Sequence, residues 1–492
     1  MAKCIMVQGT MSGVGKSLLV TALCRIFRQD GLRVAPFKSQ NMALNSYVTA
    51  DGLELGRAQV AQAEAAGLPC DVRMNPVLLK PSSDTGSQLI VLGEVRGDYP
   101  AKEYFRMKRS LIPEILRAYE SLAAENDVIV IEGAGSPAEI NLREDDIVNM
   151  GFAELVNAPV LLAGDIDRGG VFAQLYGTMA LLRPEERARV VGTVINKFRG
   201  DVSLLTPGLK QLEELTGVPV LGVVPWVRAH VDEEDSLAPL LEREDTERPI
   251  DVAVVRIPHI ANFTDVTPLE QHPALGLRFV DRPEKLGSPD LLILPGTKNT
   301  MYDTAWLWRR GFAEKIKALA AAGTPILGVC GGYQMLGRAL HDPEGIEQKG
   351  SVDGFGLLPC ETVFVQEKCR QRTNACCTAG PLAGAEIRGY EIHMGRTERL
   401  GGEPFCLTED GEEEGTVEGC VFGTYLHGLF DSGELTEKLA AFLAARKGIE
   451  LADIKLETRA AWQDRQYDLL ADAVRNNLDM AAVYRAMEEY AK

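Results

Sequence analysis

At 492 residues the chain is too long for one ordinary domain, and two or three are expected. A hydrophobic share of 46% with 25% charged residues describes a soluble globular protein, and no apolar run approaches the length of a membrane span. The balance of 52 basic and 70 acidic residues leaves a net charge of −18, which argues against nucleic acid as partner and disfavours an anionic substrate unless its site is locally basic.

The start, Met1 to Val7, leads straight into a glycine loop and reads as a strand rather than a signal peptide. Ile5-Met6-Val7-Gln8 is followed by Gly9-Thr10-Met11-Ser12-Gly13-Val14-Gly15-Lys16-Ser17 and then by a helix from Leu18 to Arg28. Strand, glycine loop, Gly-Lys-Ser and helix form the P-loop arrangement, in which loop N–H groups and the helix N-terminus hold phosphates. Gly9, Thr10, Gly13 and Gly15 would line the nucleotide, Lys16 would reach its β- and γ-phosphates, and Ser17 would ligate Mg²⁺. Counted from Gly9, the loop is one residue longer than the common form, a variant that resembles dethiobiotin synthetase.

Arg33 to Phe37 is a second short strand, and Lys38 at its end is a candidate catalytic cation for a nucleotide phosphate or a substrate carboxylate. The plainer reading is a solvated loop lysine. Asp51 and Glu54 open an Ala- and Gln-rich helix through Ala66. Both are candidate Mg²⁺ ligands, although acids in a first helical turn are also ordinary dipole partners. Val128-Ile129-Val130-Ile131 is a buried strand ending in Glu132, where P-loop proteins place a carboxylate for the metal or its water. Further strands run to Asp165, to Asn196 and to Pro225. Strands separated by helical stretches predict a parallel sheet covered on both faces, with sites at the carboxyl ends of its strands. Asn196 is placed there to contact the nucleobase.

Asp232 to Pro249 is charged and bounded by proline, and reads as a solvated linker. Strands resume at Asp251 and again at Leu291-Leu292-Ile293, which leads into Leu294-Pro295-Gly296-Thr297. Thr324 to Leu327 is a short apolar strand, followed by Gly328-Val329-Cys330-Gly331-Gly332-Tyr333-Gln334 and a helix start. Glycines crowded around one cysteine between strand and helix form a nucleophile elbow, which lifts the side chain to a helix N-terminus. There the helix dipole favours a thiolate and later an oxyanion. A buried cysteine beside a glycine turn is the bland alternative. A thiol nucleophile needs a base. Of six histidines, His427 at the end of the apolar run from Val421 is the first candidate and His393 in Tyr390-Glu391-Ile392-His393 the second. Gly296 and Gly331 are the expected oxyanion donors. Leu435 to Arg446 and Tyr467 to Met487 are amphipathic at helical spacing and are expected to pack on this second domain or on an oligomer partner. Ten cysteines with no Cys-x-x-Cys pair indicate neither a zinc site nor a disulfide framework, and a reactive thiol among them fits the reducing cytoplasm.

Leu294-Pro295-Gly296, the elbow and His427 resemble the class I glutamine amidotransferases, in which the cysteine attacks the glutamine amide, a thioester forms and ammonia leaves. That family commonly carries an acid two residues after the histidine, and here the position is Leu429. The departure resembles the cobyric acid synthase subgroup, which works with a Cys–His dyad. Phe37 to Met42, Met74 to Pro81, Glu132 to Leu142, Gly164 to Phe172, Asn196 to Asp201 and Tyr390 to Gly395 are similar to the same cobyric acid synthase family, so the resemblance runs from about Ile5 to His427.

The expected fold is α/β with two doubly wound domains: an ATP-dependent amide synthetase over 1–230, a linker over 231–249, an amidotransferase-like domain over 250–440 and a helical tail over 441–492. The resemblance implies that ATP and Mg²⁺ convert a carboxylate to an acyl phosphate and that ammonia from glutamine displaces phosphate. It implies adenosylcobyrinic acid a,c-diamide as substrate, amidated at side chains b, d, e and g in cobalamin biosynthesis. No Asp-x-His-x-x-Gly string occurs, so the corrinoid would be held by its periphery rather than through cobalt. The alternatives are a cobyrinic acid a,c-diamide synthase and a regulatory P-loop ATPase with an inactive amidotransferase-like module. Partners would be small molecules, with neither nucleic acid nor membrane, and an oligomer is left open.

Overall fold

A computed structural model of the chain describes residues 2–83, 86–232, 239–243, 247–452 and 456–491. These residues form two compact units. The first comprises Met1–Met42, Leu55–Asp232 and Gln463–Lys492, and the second Ala43–Glu54 and Glu233–Trp462.

In the first unit a six-stranded parallel sheet runs in the order Val220–Pro225, Val190–Phe198, Val160–Asp165, Lys3–Gly9, Val128–Glu132, Val34–Phe37. Its strands are apolar almost throughout because both faces are covered. Cys4 and Met6 pack into one cluster with Phe37, Ile115 and Leu175, while Ile5 and Val7 pack into another with Leu19, Leu23 and Phe27. The strand order reverses around Lys3–Gly9, so its carboxyl end opens into a crevice where the P-loop stands. A smaller sheet of Gln40–Met42, Val77–Ser83, Gly86–Val91 and Glu94–Pro100 belongs to the same unit.

The second unit is built on another six-stranded sheet, in the order Leu275–Val280, Ile250–Val255, Leu291–Leu294, Ile326–Val329, Val421–Thr424, Thr416–Glu418. All pairs are parallel except the last. A long antiparallel hairpin of Cys360–Cys377 and Glu386–Arg399 lies in a further mixed sheet that the sequence reading does not include. No described helix is long and apolar enough to cross a membrane.

Three expectations need correction. The helix read from Asp51 begins at Arg57, because Gly52 turns the chain with φ 76° and Glu54 opens a short strand. Asp51 and Glu54 thus belong to the second unit. The tail is broken into Arg459–Arg475 and Met480–Tyr490, with the Asp479 side chain capping the second helix. From Gln463 onward it belongs to the first unit rather than the amidotransferase-like one. Tyr467, Leu470, Val474, Val483 and Met487 complete the cluster around Ile5 and Phe27, and Arg25 bonds Asp464 and Asp468. Lastly, the 231–249 segment is not wholly solvated where it is described. Asp232 is buried in an ion pair with Arg57 at 2.7 Å, and Leu241 enters the core of the second unit. Residues 233–238 and 244–246 of that segment lie outside the described residues.

Candidate active sites

In the first unit the P-loop turns into the helix Lys16–Gln29 through Gly15, whose φ of 92° suits glycine. A Cβ there would stand 2.3 Å from the Asn196 amide nitrogen. The Asn196 amide instead donates to the Val14 carbonyl at 2.8 Å, so this strand-end side chain braces the loop. Lys197, also at positive φ, donates to the Gly13 carbonyl and lies 2.9 Å from Asp165. Lys16 Nζ donates to the carbonyls of Met11 and Gly135, both at 3.0 Å, which holds its cationic end among the loops.

Glu132 sits at the end of the central strand Val128–Glu132, fully buried. It accepts from Ser17 Oγ at 2.9 Å, from Lys38 Nζ at 2.9 Å and from the Gln62 amide. Burial pushes its carboxyl upward, but the Lys38 charge and these donors outweigh that and hold it below the ordinary carboxylate range. Lys38 is therefore a buried partner of the strand-end acid rather than a solvated loop lysine. A buried ion pair contributes little net stability. The paired oxygens of Ser17 and Glu132 are hard donors of the kind Mg²⁺ takes. Asp51 lies on an exposed turn and belongs to the other unit.

In the second unit Cys330 ends the strand Ile326–Val329 with φ 53° and ψ −108°, a conformation L-residues rarely hold. Its N–H is bonded to the Thr424 carbonyl at 2.8 Å, and the helix Gly331–Leu336 starts beside it. A Cβ on Gly332 would stand 2.0 Å from the Leu294 carbonyl oxygen, so the elbow closes only with glycine there. Gly296 faces the reactive groups: a Cβ on it would lie 3.4 Å from His427 Cε1 and 3.8 Å from Cys330 Cβ. The Gly296 carbonyl accepts from Ala261 N at 2.9 Å, so the N–H of the same peptide plane, that of Thr297, points the opposite way. Thr297 N lies 3.1 Å from the Cβ position of Gly331, which brings donor loop and elbow together. Asp303, buried, ties the loop down by accepting from Thr297 Oγ1 and His259 N.

His427 is buried and stacks on Tyr390 with ring centroids 5.2 Å apart. Its Nδ1 lies 2.6 Å from Asp265 Oδ2, while Asp265 Oδ1 accepts from Gly428 N at 3.1 Å. Burial pushes the imidazole down, but the Asp265 charge and hydrogen bond, with the Cys330 thiol, raise it to about 10. Among the described residues Nε2 has no directed hydrogen-bond partner, although the Cys330 thiol is close enough to act on the ring. Cys330, His427 and Asp265 thus stand as a candidate nucleophile, base and orienting acid. His393 is held elsewhere, on Glu391 and the Gly395 carbonyl.

Two family models match the chain. Residues 5–239 match the CobQ/CobB/MinD/ParA nucleotide binding domain, and residues 251–435 match the CobB/CobQ-like glutamine amidotransferase domain. Cobyric acid synthase of Lachnoclostridium phytofermentans is 51% identical over 99% of this chain and 100% of its own length. Those of Ruminiclostridium cellulolyticum and Photorhabdus laumondii are 51% and 52% identical, each over 99% of this chain and 98% of its own length. The chain belongs to the cobyric acid synthase family. In this member the position two residues after the histidine is filled by Leu429, fully buried, and the carboxylate on the histidine is that of Asp265, from the 3-10 helix Phe263–Gln271. Nothing in the residues around Asn262-Phe263-Thr264-Asp265 ties Asp265 to His427, which lies 162 positions further along the chain.

Proposed function

We propose that this chain is an ATP- and glutamine-dependent amidoligase that converts adenosylcobyrinic acid a,c-diamide to adenosylcobyric acid by amidating side chains b, d, e and g. The reading rests on the full-length kinship with cobyric acid synthases, and the observation that carries its chemistry is the Cys330–His427–Asp265 constellation beside an intact elbow. In the second unit the Cys330 thiolate attacks the glutamine amide carbon. The N–H of Gly331 and the Gly296–Thr297 segment stabilise the oxyanion. Imidazolium of His427 protonates the departing nitrogen, ammonia leaves, and water then releases glutamate from the thioester. Asp265 holds the ring with Nδ1 protonated and Nε2 toward the sulfur.

In the first unit the loop Gly9 to Ser17 would hold ATP, with Lys16 toward its outer phosphates and Asn196 bracing the loop from behind. Ser17 and Glu132 would hold Mg²⁺, which neutralises charge on the phosphates. Lys38 stabilises charge on the phosphoryl group passing to the substrate carboxylate. Ammonia attacks the acyl phosphate carbon, the C–O bond to phosphate breaks, and an amide and inorganic phosphate result. The free thiols suit a reducing cytoplasm. The test incubates the protein with ATP, Mg²⁺, glutamine and either the a,c-diamide or cobyrinic acid, and counts new amides by mass. Amidation at b, d, e and g of the a,c-diamide is expected. Amidation of cobyrinic acid alone, stopping at a and c, would assign the a,c-diamide synthase reaction instead, and glutamine hydrolysis without either would overturn the ligase reading.

A further inference from the structure

Cys369, Glu391 and His393 take no part in the chemistry above. The register of the long hairpin sets Cys369 directly across from His393, and Glu391, two residues earlier on that strand, falls on the same face. Their ligating atoms all lie within 4.8 Å of one another. The surroundings fix two of them. His393 Nδ1 is 2.8 Å from the Gly395 carbonyl oxygen, an acceptor only, so Nδ1 carries a proton and Nε2 is turned inward. The ring stacks on Tyr425 with centroids 3.7 Å apart. Glu391 Oε1 accepts from Gln371 Nε2 at 3.1 Å and Thr373 Oγ1 at 2.9 Å, while Oε2 faces His393 Nε2 at 3.3 Å. Nitrogen and oxygen ligands at about 2.0–2.1 Å from a tetrahedral zinc ion stand about 3.3–3.4 Å apart, and the Nε2–Oε2 separation matches.

We propose that Cys369, Glu391 and His393 bind a divalent transition-metal ion of the zinc class, leaving a fourth position for water or a small anion. One sulfur, one nitrogen and one oxygen make a borderline-soft set, which selects such an ion over Mg²⁺. The hydroxyl and carboxylate of Ser17 and Glu132 select in the other direction. Cys369 enters as thiolate and its proton passes to solvent. The competing arrangement is a metal-free ion pair, with an imidazolium Nε2–H donating to Glu391. The site adjoins the elbow: Ile392, between two of the ligands, presents its carbonyl 3.7 Å from Cys330 Sγ. Tyr425, beneath His393, accepts from Gln334 of the elbow helix at 3.0 Å.

Cobalt(II) is the probe, titrated into the full-length protein freed of metal by a chelator and kept reduced by a phosphine. One equivalent should bring up a thiolate-to-cobalt charge-transfer band with tetrahedral visible absorption, and Zn²⁺ should bleach both. Cys330→Ala should keep the band, which separates this site from the nucleophile. Cys369→Ser, checked for folding by circular dichroism, with Cys369→Ala as a second variant, should lose it. His393→Gln should weaken binding by about tenfold or more. Absence of the band in the Cys330→Ala protein, or its survival in a folded Cys369 variant, would overturn the assignment in favour of the ion pair.

Discussion

His427 stays cationic far above the pH where a free imidazole loses its proton because Asp265 lies 2.6 Å from its Nδ1 in a buried site. Asp265→Asn removes that charge, so the alkaline limb of kcat/KM for glutamine should move down from about 10 toward the ordinary histidine value. The rate itself should fall by about 10²–10⁴, as when a triad acid is neutralised. A pH profile of glutaminase activity reads both, and an unmoved limb would detach Asp265 from the base. The same pairing bears on stability. The imidazole is raised on folding, so its contribution is fully present below about pH 6.5, the unfolded value, and is lost as pH climbs through about 10. The stability gap between wild type and Asp265→Asn in urea should therefore narrow between pH 6 and pH 10.5. His427→Ala should abolish glutamine hydrolysis while His393→Ala leaves a measurable rate; the reverse would exchange their roles. Asp265 escapes a sequence reading because it precedes His427 by 162 residues and reaches it only through the fold. Cys369, Glu391 and His393 escape for a related reason. Their meeting depends on the register of a hairpin, and no spacing rule encodes a register.

The elements around both sites divide cleanly by how they announce themselves. Val128–Glu132 and Ile326–Val329 are short apolar runs ending at a glycine turn, and such buried parallel strands are legible because both faces want apolar side chains. Cys360–Cys377 is not, since in a simple alternation Glu361 and Glu367 fall on one face and Lys368, Arg370 and Arg372 on the other, which breaks the pattern through its middle. At this scale Glu132→Gln tests the strand end. It keeps the shape and removes the charge that faces Ser17 and Lys38, so the Mg²⁺ concentration for half-maximal amidation should rise by about tenfold or more with an unchanged circular dichroism spectrum. An unchanged Mg²⁺ titration would leave Glu132 as a structural partner of Lys38. The tail is the other element with a measurable role. Tyr467, Leu470, Val474, Val483 and Met487 are buried against the helix Lys16–Gln29 and its strand. Each contributes about 1.5–3 kcal/mol by burial, so together they are comparable to the whole stability margin of a domain. Ending the chain at Trp462 should therefore unfold the first unit or send it to the insoluble fraction.

For the whole molecule, two chemistries on separate units predict a separable defect. Cys330→Ala (or Ser) should lose glutamine-driven amidation yet retain amidation with added ammonium salt, still dependent on ATP and Mg²⁺. The rate with ammonium should climb with pH as more nitrogen is unprotonated, and stay below the glutamine rate because free ammonia lacks the advantage of delivery within the protein. A folded Cys330→Ala protein inactive with both nitrogen sources would tie the thiol to the synthetase step. The interleaving of the units also bears on how the protein is made. Residues 463–491 complete the unit whose first strand is Lys3–Gly9, and the whole second unit lies between them in sequence. Ribosomes usually release domains to fold in the order they are synthesised. Here the amidotransferase-like unit has all its residues outside the ribosome first. The phosphate-binding unit must wait, with the face of its opening helix uncovered, until the last helices emerge. Chaperones that shield apolar surface on nascent chains should therefore hold the amino-terminal portion for nearly the whole of translation.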